Sequence, residues 1–88
     1  MMYEVVYSAR SVKVLEKMDK PTAAIIYGWI EKNLVGCENP RKYGSALTGN
    51  IKDFWRYRVG SYRIIADILD NVLQIEIINV GHRGEIYR

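Results

Sequence analysis

IKDFWRYRVGSYRIIADILDNVLQIEIINV, residues 51–80, decides the fold. It divides into three runs rich in β-branched and aromatic side chains, 51–59, 62–69 and 72–80. The dipeptides between them, Gly60-Ser61 and Asp70-Asn71, suit two-residue hairpin turns, so the expectation is an antiparallel three-stranded meander. Two-residue loops also set the register. Val59 should face Tyr62, Arg58 should face Arg63, and Arg56 should face Ile65. The same rule across Asp70-Asn71 puts Glu76 opposite Ile65 and Ile78 opposite Arg63.

Side chains alternate along a strand. One face therefore carries Trp55, Tyr57, Val59, Tyr62, Ile64, Ala66 and Ile68, continued by Leu73, Ile75 and Ile77, and reads as a core. The other carries Lys52, Arg56, Arg58 and Arg63. Placing Arg58 directly across from Arg63 destabilises the pairing. A surface network in which Glu76, diagonal to Arg63, relieves the repulsion would account for it. So would a face that holds phosphates, which the planar arginine fork grips in bidentate fashion.

Working outward, MYEVVYS alternates well enough for a first strand with Tyr3, Val5 and Tyr7 on one face. Ser8 is placed to cap a helix with a Val12, Leu15, Met18 stripe. Lys20-Pro21 ends that helix and opens a second, with Ile26, Trp29, Ile30 and Leu34 inward and Gly36 closing it. Residues 9–35 thus read as a helical hairpin, and residues 37–50 as a loop. The fold class is α+β: an N-terminal strand, a helical hairpin and the meander, with the helices packed on one sheet face.

At 88 residues the chain is expected to form one domain, residues 1–88, with a modest core. No apolar run approaches the ~20 residues of a membrane span. The first residues lack the charged head and apolar middle of a signal peptide, and the lone Cys37 cannot form an internal disulfide, which favours the cytoplasm. The net charge of +3 is unevenly spread. Between Arg41 and Arg63, six basic residues (Arg41, Lys42, Lys52, Arg56, Arg58, Arg63) stand against Asp53 alone, giving +5 and leaving −2 for the rest. Such a patch suggests an anionic partner.

The chain closes on NVGHRGEIYR, residues 79–88. Gly81 lets the chain turn, and His82, Arg83 and Tyr87 are expected to gather at the rim of the arginine face.

In these residues, LTGNIKDFWRYRVGSYRIIADI followed by IEIINVGHRGEIYR, the sequence resembles the RelE/ParE superfamily of bacterial and archaeal toxins, and the RelE branch in particular. The shared pattern is a Leu-x-Gly turn, a strand of alternating basic residues, a Gly-x-Tyr-Arg hairpin, Val-Gly-(His/Lys)-Arg and a late tyrosine. The resemblance implies a β-α-α-β-β-β fold and the toxin of a type II toxin–antitoxin system, an endoribonuclease that cuts messenger RNA in the ribosomal A site. It implies attack of the 2′-hydroxyl on the scissile phosphate, no metal and no cofactor. The implied partners are a cognate antitoxin protein, the ribosome and messenger RNA, with no membrane.

Residue by residue, the resemblance assigns Arg63 to the scissile phosphate and Arg83 to developing charge and the leaving oxygen. Arg56 and Arg58 stand where the family has RNA-binding lysines assigned to base chemistry, with Lys52 beside them. Tyr87 matches a tyrosine that stacks on a base or helps activate the hydroxyl. Arginine keeps its proton far above neutrality and is a poorer base than lysine. His82, whose ordinary pKa suits proton transfer near neutrality, is therefore the candidate general base. The alternatives are a ParE-like DNA gyrase inhibitor and a catalytically inactive relative that binds RNA or antitoxin.

Overall fold

The computed structural model describes residues 2–47 and 53–82. Strand β1 (Glu4–Tyr7) is followed by helices α1 (Ala9–Lys17) and α2 (Lys20–Asn33), then strands β2 (Ser45–Ala46), β3 (Trp55–Val59), β4 (Tyr62–Leu69) and β5 (Gln74–His82). Local chemistry sets the breaks. Ser8 has an extended backbone, and its hydroxyl accepts the Ser11 N–H at 3.0 Å, starting α1. Asp19 repeats the device for α2, accepting the Thr22 N–H at 3.1 Å and the Thr22 hydroxyl at 2.7 Å, with Pro21 in the first turn.

The α2 face expected from the sequence is the one observed: Ile26, Ile30 and Leu34 are buried and Trp29 packs against them. Along α1 and its C-cap the inward residues are Ser11, Val14, Leu15 and Met18, so the expected Leu15 and Met18 hold while Val14 takes the place expected of Val12. The polar Ser11 is tolerated inside because its hydroxyl donates to the Ser8 carbonyl at 2.9 Å.

The sheet has five strands in the order β1-β5-β4-β3-β2. β1 lies parallel to β5, and the remaining neighbours are antiparallel. β2 lies in the stretch read from sequence as a loop; Ser45 faces Arg56 and Ala46 faces Trp55. Gly44 permits this approach, because its φ is +78° and a Cβ there would collide with the Arg56 carbonyl. The core fills one side of the sheet, where Leu15, Ile26, Ile30 and Leu34 meet Tyr57, Ile64, Ala66, Ile75, Ile77 and Val80. Tyr57 is fully buried, and its hydroxyl donates to the Pro40 carbonyl at 2.6 Å, which ties down the α2–β2 connection.

The β3–β4 hairpin has the expected two-residue turn. Val59 faces Tyr62, Arg58 faces Arg63, and Arg56 faces Ile65. Gly60 takes the left-handed conformation the turn needs, at φ +60°. The β4–β5 hairpin departs from expectation. Its connection is a 3-10 turn, Asp70–Val72, followed by Leu73 at φ +53°. The Asp70 carboxylate is held by the Tyr3 hydroxyl at 2.6 Å and by the two terminal guanidinium nitrogens of Arg41 at 3.1 and 3.0 Å, so it anchors a wider loop.

A second irregularity follows. Ala66 faces Ile77 but Ile65 faces Asn79, so Ile78 is one extra residue, a β-bulge. Its carbonyl accepts the Ser8 hydroxyl at 2.8 Å. Glu76 thus lies opposite Asp67, and Gly81, in place of Ile78, lies opposite Arg63.

Candidate functional site

The helix-free face of the sheet holds the candidate site. Arg56, Arg58 and Arg63 share it, as the strict β3–β4 register requires. Arg56 is steadied by a 3.0 Å bond from its guanidinium to the Ser45 hydroxyl on β2, a contact invisible while residues 37–50 read as a loop. Ile65, between Arg56 and Asn79 in the ladder, is 5% exposed and gives this face an apolar floor. Around the hairpin tip, a surface depression of about 310 Å³ is lined by Arg58, Gly60, Ser61 and Arg63. Among the described residues, no acidic side chain lines it.

Charge along this face is polarised. Asp67 and Glu76 form a directly opposed acidic pair, while Arg58 and Arg63 form an opposed basic pair nearer the tip. Asp67 lies four positions along β4 from Arg63, about 13 Å at ordinary strand rise. The expected relief of Arg63 by a diagonal Glu76 is therefore corrected: the longer turn and the bulge carry Glu76 away. Arg41, part of the basic segment by sequence, belongs elsewhere. It pairs with Asp70, and its guanidinium carbon stands 5.9 Å from the Trp55 ring centroid. Those partners hold Asp70 below its ordinary carboxylate value, Arg41 by hydrogen bonding first and Tyr3 second.

The structure does not bring His82 to the arginines. Directly paired residues share a face, and His82 pairs with Tyr62, whose ring packs against the helix-side core. The two rings stand 4.8 Å apart at 71°, beside α1. The bulge is the physical reason. One extra residue inverts the alternation, burying Val80 to 2% exposure and sending His82 to the same side. The signal was present in the sequence: the inward apolar residues Ile75 and Ile77 are followed by Val80, a change of parity that a regular strand cannot accommodate. Lys52, Arg83 and Tyr87 lie outside the described residues.

The described part is thus a five-stranded mixed sheet with a helical hairpin on one face and a cationic hollow on the other. Comparison with known proteins gives this class its family. A family model described as the ParE toxin of the type II toxin–antitoxin system parDE matches residues 5–87, and the chain belongs to this ParE/RelE family of type II toxins. Toxin RelE of Mycobacterium tuberculosis is 27% identical over 86 residues, covering 98% of this chain and 87% of the relative.

Among solved structures, the toxin–antitoxin complex RelBE2 of Mycobacterium tuberculosis matches with a TM-score of 0.83 at 22% identity, covering 97% of this chain and 95% of that one. The isolated E. coli RelE toxin matches with a TM-score of 0.73 at 22% identity, covering 97% and 90%. These likenesses carry the RelE-like fold expected from the sequence. Among the described residues, no helix is long and apolar enough to cross a membrane.

Proposed function

We propose that this toxin is a ribosome-dependent endoribonuclease that cleaves messenger RNA in the A site. The observation that carries the reading is the directly opposed Arg58–Arg63 pair lining a hollow that, among the described residues, has no acidic side chain. Two cations placed face to face cost the fold stability. A bound phosphate converts that repulsion into two attractions. The gain grows with the charge on the ligand, so a phosphorane with an extra negative charge is held more tightly than the ground-state diester. Differential binding of that kind lowers a barrier.

In the proposed reaction the ribose 2′-oxygen attacks the adjacent phosphorus and loses its proton. The bond from phosphorus to the 5′-oxygen breaks, and that oxygen takes up a proton, leaving a cyclic phosphate and a 5′-hydroxyl. Arg63 holds the scissile phosphate while Arg56 and Arg58 bind the flanking backbone with Lys52. Arg83 and Tyr87 are assigned by the family resemblance to the leaving oxygen and the attacking hydroxyl. Arginines do not serve as bases at neutral pH, so the mechanism relies on electrostatics and on the ribosome holding the RNA in line. Free RNA should be cut poorly. The cytoplasm is the compartment this reading requires, and an antitoxin protein is the expected partner, as in the RelBE complexes of similar fold.

The test is primer extension on a messenger RNA translated in vitro with the protein, and with its Arg63→Ala and Arg83→Ala variants. Ribosome-dependent cuts, reduced about a hundredfold or more in each variant, are expected from the loss of one charge-stabilising group. No cuts with wild-type protein would overturn the proposal. The ParE description of the family model gives a second reading, a DNA gyrase inhibitor. Inhibition of gyrase supercoiling without messenger RNA cleavage would establish it.

A further inference from the structure

A second depression, of about 360 Å³, opens between α1 and the ends of β4 and β5, on the face opposite the arginines. Its apolar lining comes from Val14, Met18 and Val80, and its remaining surface includes Arg10 and the Tyr62–His82 ring pair. Resting on the nuclease reading above, we propose that this depression is a nucleobase subsite. It receives a base of the same single-stranded RNA whose phosphates lie on the arginine face.

Three observations support the assignment. An edge-to-face pair leaves a ring face uncovered by its partner, and His82 is exposed, so a flat aromatic surface remains for stacking. Every base has a π-face, and stacking tolerates any sequence, as a toxin that reads many messages requires. Among the described residues the lining includes Arg10 and no acidic side chain, which suits a polyanion better than a metal or an organic cation.

Finally, the two hollows meet at one end of the sheet. Arg63 faces one and its neighbour Tyr62 the other, with their Cα atoms about 3.8 Å apart along the chain. A strand passing around the Gly60-Ser61 end can leave a phosphate on Arg58 and Arg63 and turn a base two or more nucleotides further along onto His82. The bulge at Ile78 makes this possible, since unbroken alternation through Ile78 would put His82 on the arginine face.

The test uses full-length protein and non-cleavable 2′-O-methyl RNA, as a labelled dinucleotide and a labelled octanucleotide. A dinucleotide spans the arginine hollow alone; an octanucleotide reaches both. His82→Ala should weaken octanucleotide binding about tenfold, within the range for losing one stacked base, and leave dinucleotide binding unchanged. His82→Phe, which keeps the ring and removes its nitrogens, should bind like wild type. Arg58→Ala should weaken both ligands. His82 is the only histidine, so its ring C–H signals are unambiguous, and they should move upfield on octanucleotide addition.

If His82→Ala binds both ligands like wild type while Arg58→Ala does not, the subsite is overturned and the arginine face stands. If neither variant weakens binding, both readings fall. Static His82 signals would likewise overturn the subsite.

Discussion

The two hairpins of this sheet differ in how they handle alternation. β3 and β4 turn through Gly60-Ser61 and keep strict register, so every residue on one side stays there. That regularity lines up Arg56, Arg58 and Arg63 opposite the core. β4 and β5 are joined by a 3-10 turn and then slip by one residue at Ile78. β5 therefore feeds the core with Ile75 and Ile77 below the bulge, and with Val80 above it. The regular hairpin builds a charged face, and the irregular one decides which side chains leave it.

The largest expected effect comes from the residue that the irregularity turns inward. Val80 is 2% exposed, so Val80→Lys forces a charge into the core and should destabilise by about 3 kcal/mol or more. Asn79→Lys, one residue away and on the opposite side of β5, should cost far less. Urea denaturation of the two variants is the check, and equal losses would break the claim that the bulge sorts the faces.

Ser8→Ala comes next. It removes the α1 cap and the hydrogen bond to the bulge together, and should cost about 1–2 kcal/mol, with Ser8→Thr recovering most of it in thermal melts. On the regular hairpin, Gly60→Ala should cost about 1 kcal/mol through its positive φ, and Gly60→Asn less. Arg58→Thr has the opposite sign. It relieves the opposed pair and should stabilise by a few tenths of a kcal/mol while weakening RNA binding.

The smallest effect concerns pH. Asp70 is held below its ordinary value of 3.8, chiefly by Arg41 and then by Tyr3. A depressed carboxylate stabilises the fold above that ordinary value, and the contribution is lost as pH falls below it. The pair is half exposed, at 43% and 55% for the two side chains, so solvent screens it and the effect is slight. Asp70→Asn should flatten the acid limb of a melting-temperature profile below pH ~4, leaving the neutral region little changed.

Much of this was legible in residues 51–80 and the rest was not, for identifiable reasons. Gly60-Ser61 combines a glycine able to take positive φ with flanking alternation, and its register followed at once. Asp70-Asn71 has equally good local turn chemistry. Its outcome was set by partners far along the chain, Tyr3 and Arg41, which no local rule contains. β2 is two residues long and has no periodicity to detect. Of the candidate site, the arginine face was readable from alternation alone. The placement of His82 was misjudged because the bulge, hinted at only by the shift from Ile77 to Val80, reverses everything after it.

The central claim is that the opposed arginines hold RNA phosphates. Its most direct test is the salt dependence of binding to a non-cleavable single-stranded RNA, for wild type, Arg58→Ala and Arg63→Ala. Each lost phosphate contact should lower the slope of log affinity against log salt by about 0.7. The account predicts that drop in both variants. Weaker binding with an unchanged slope, or no weakening, would contradict it.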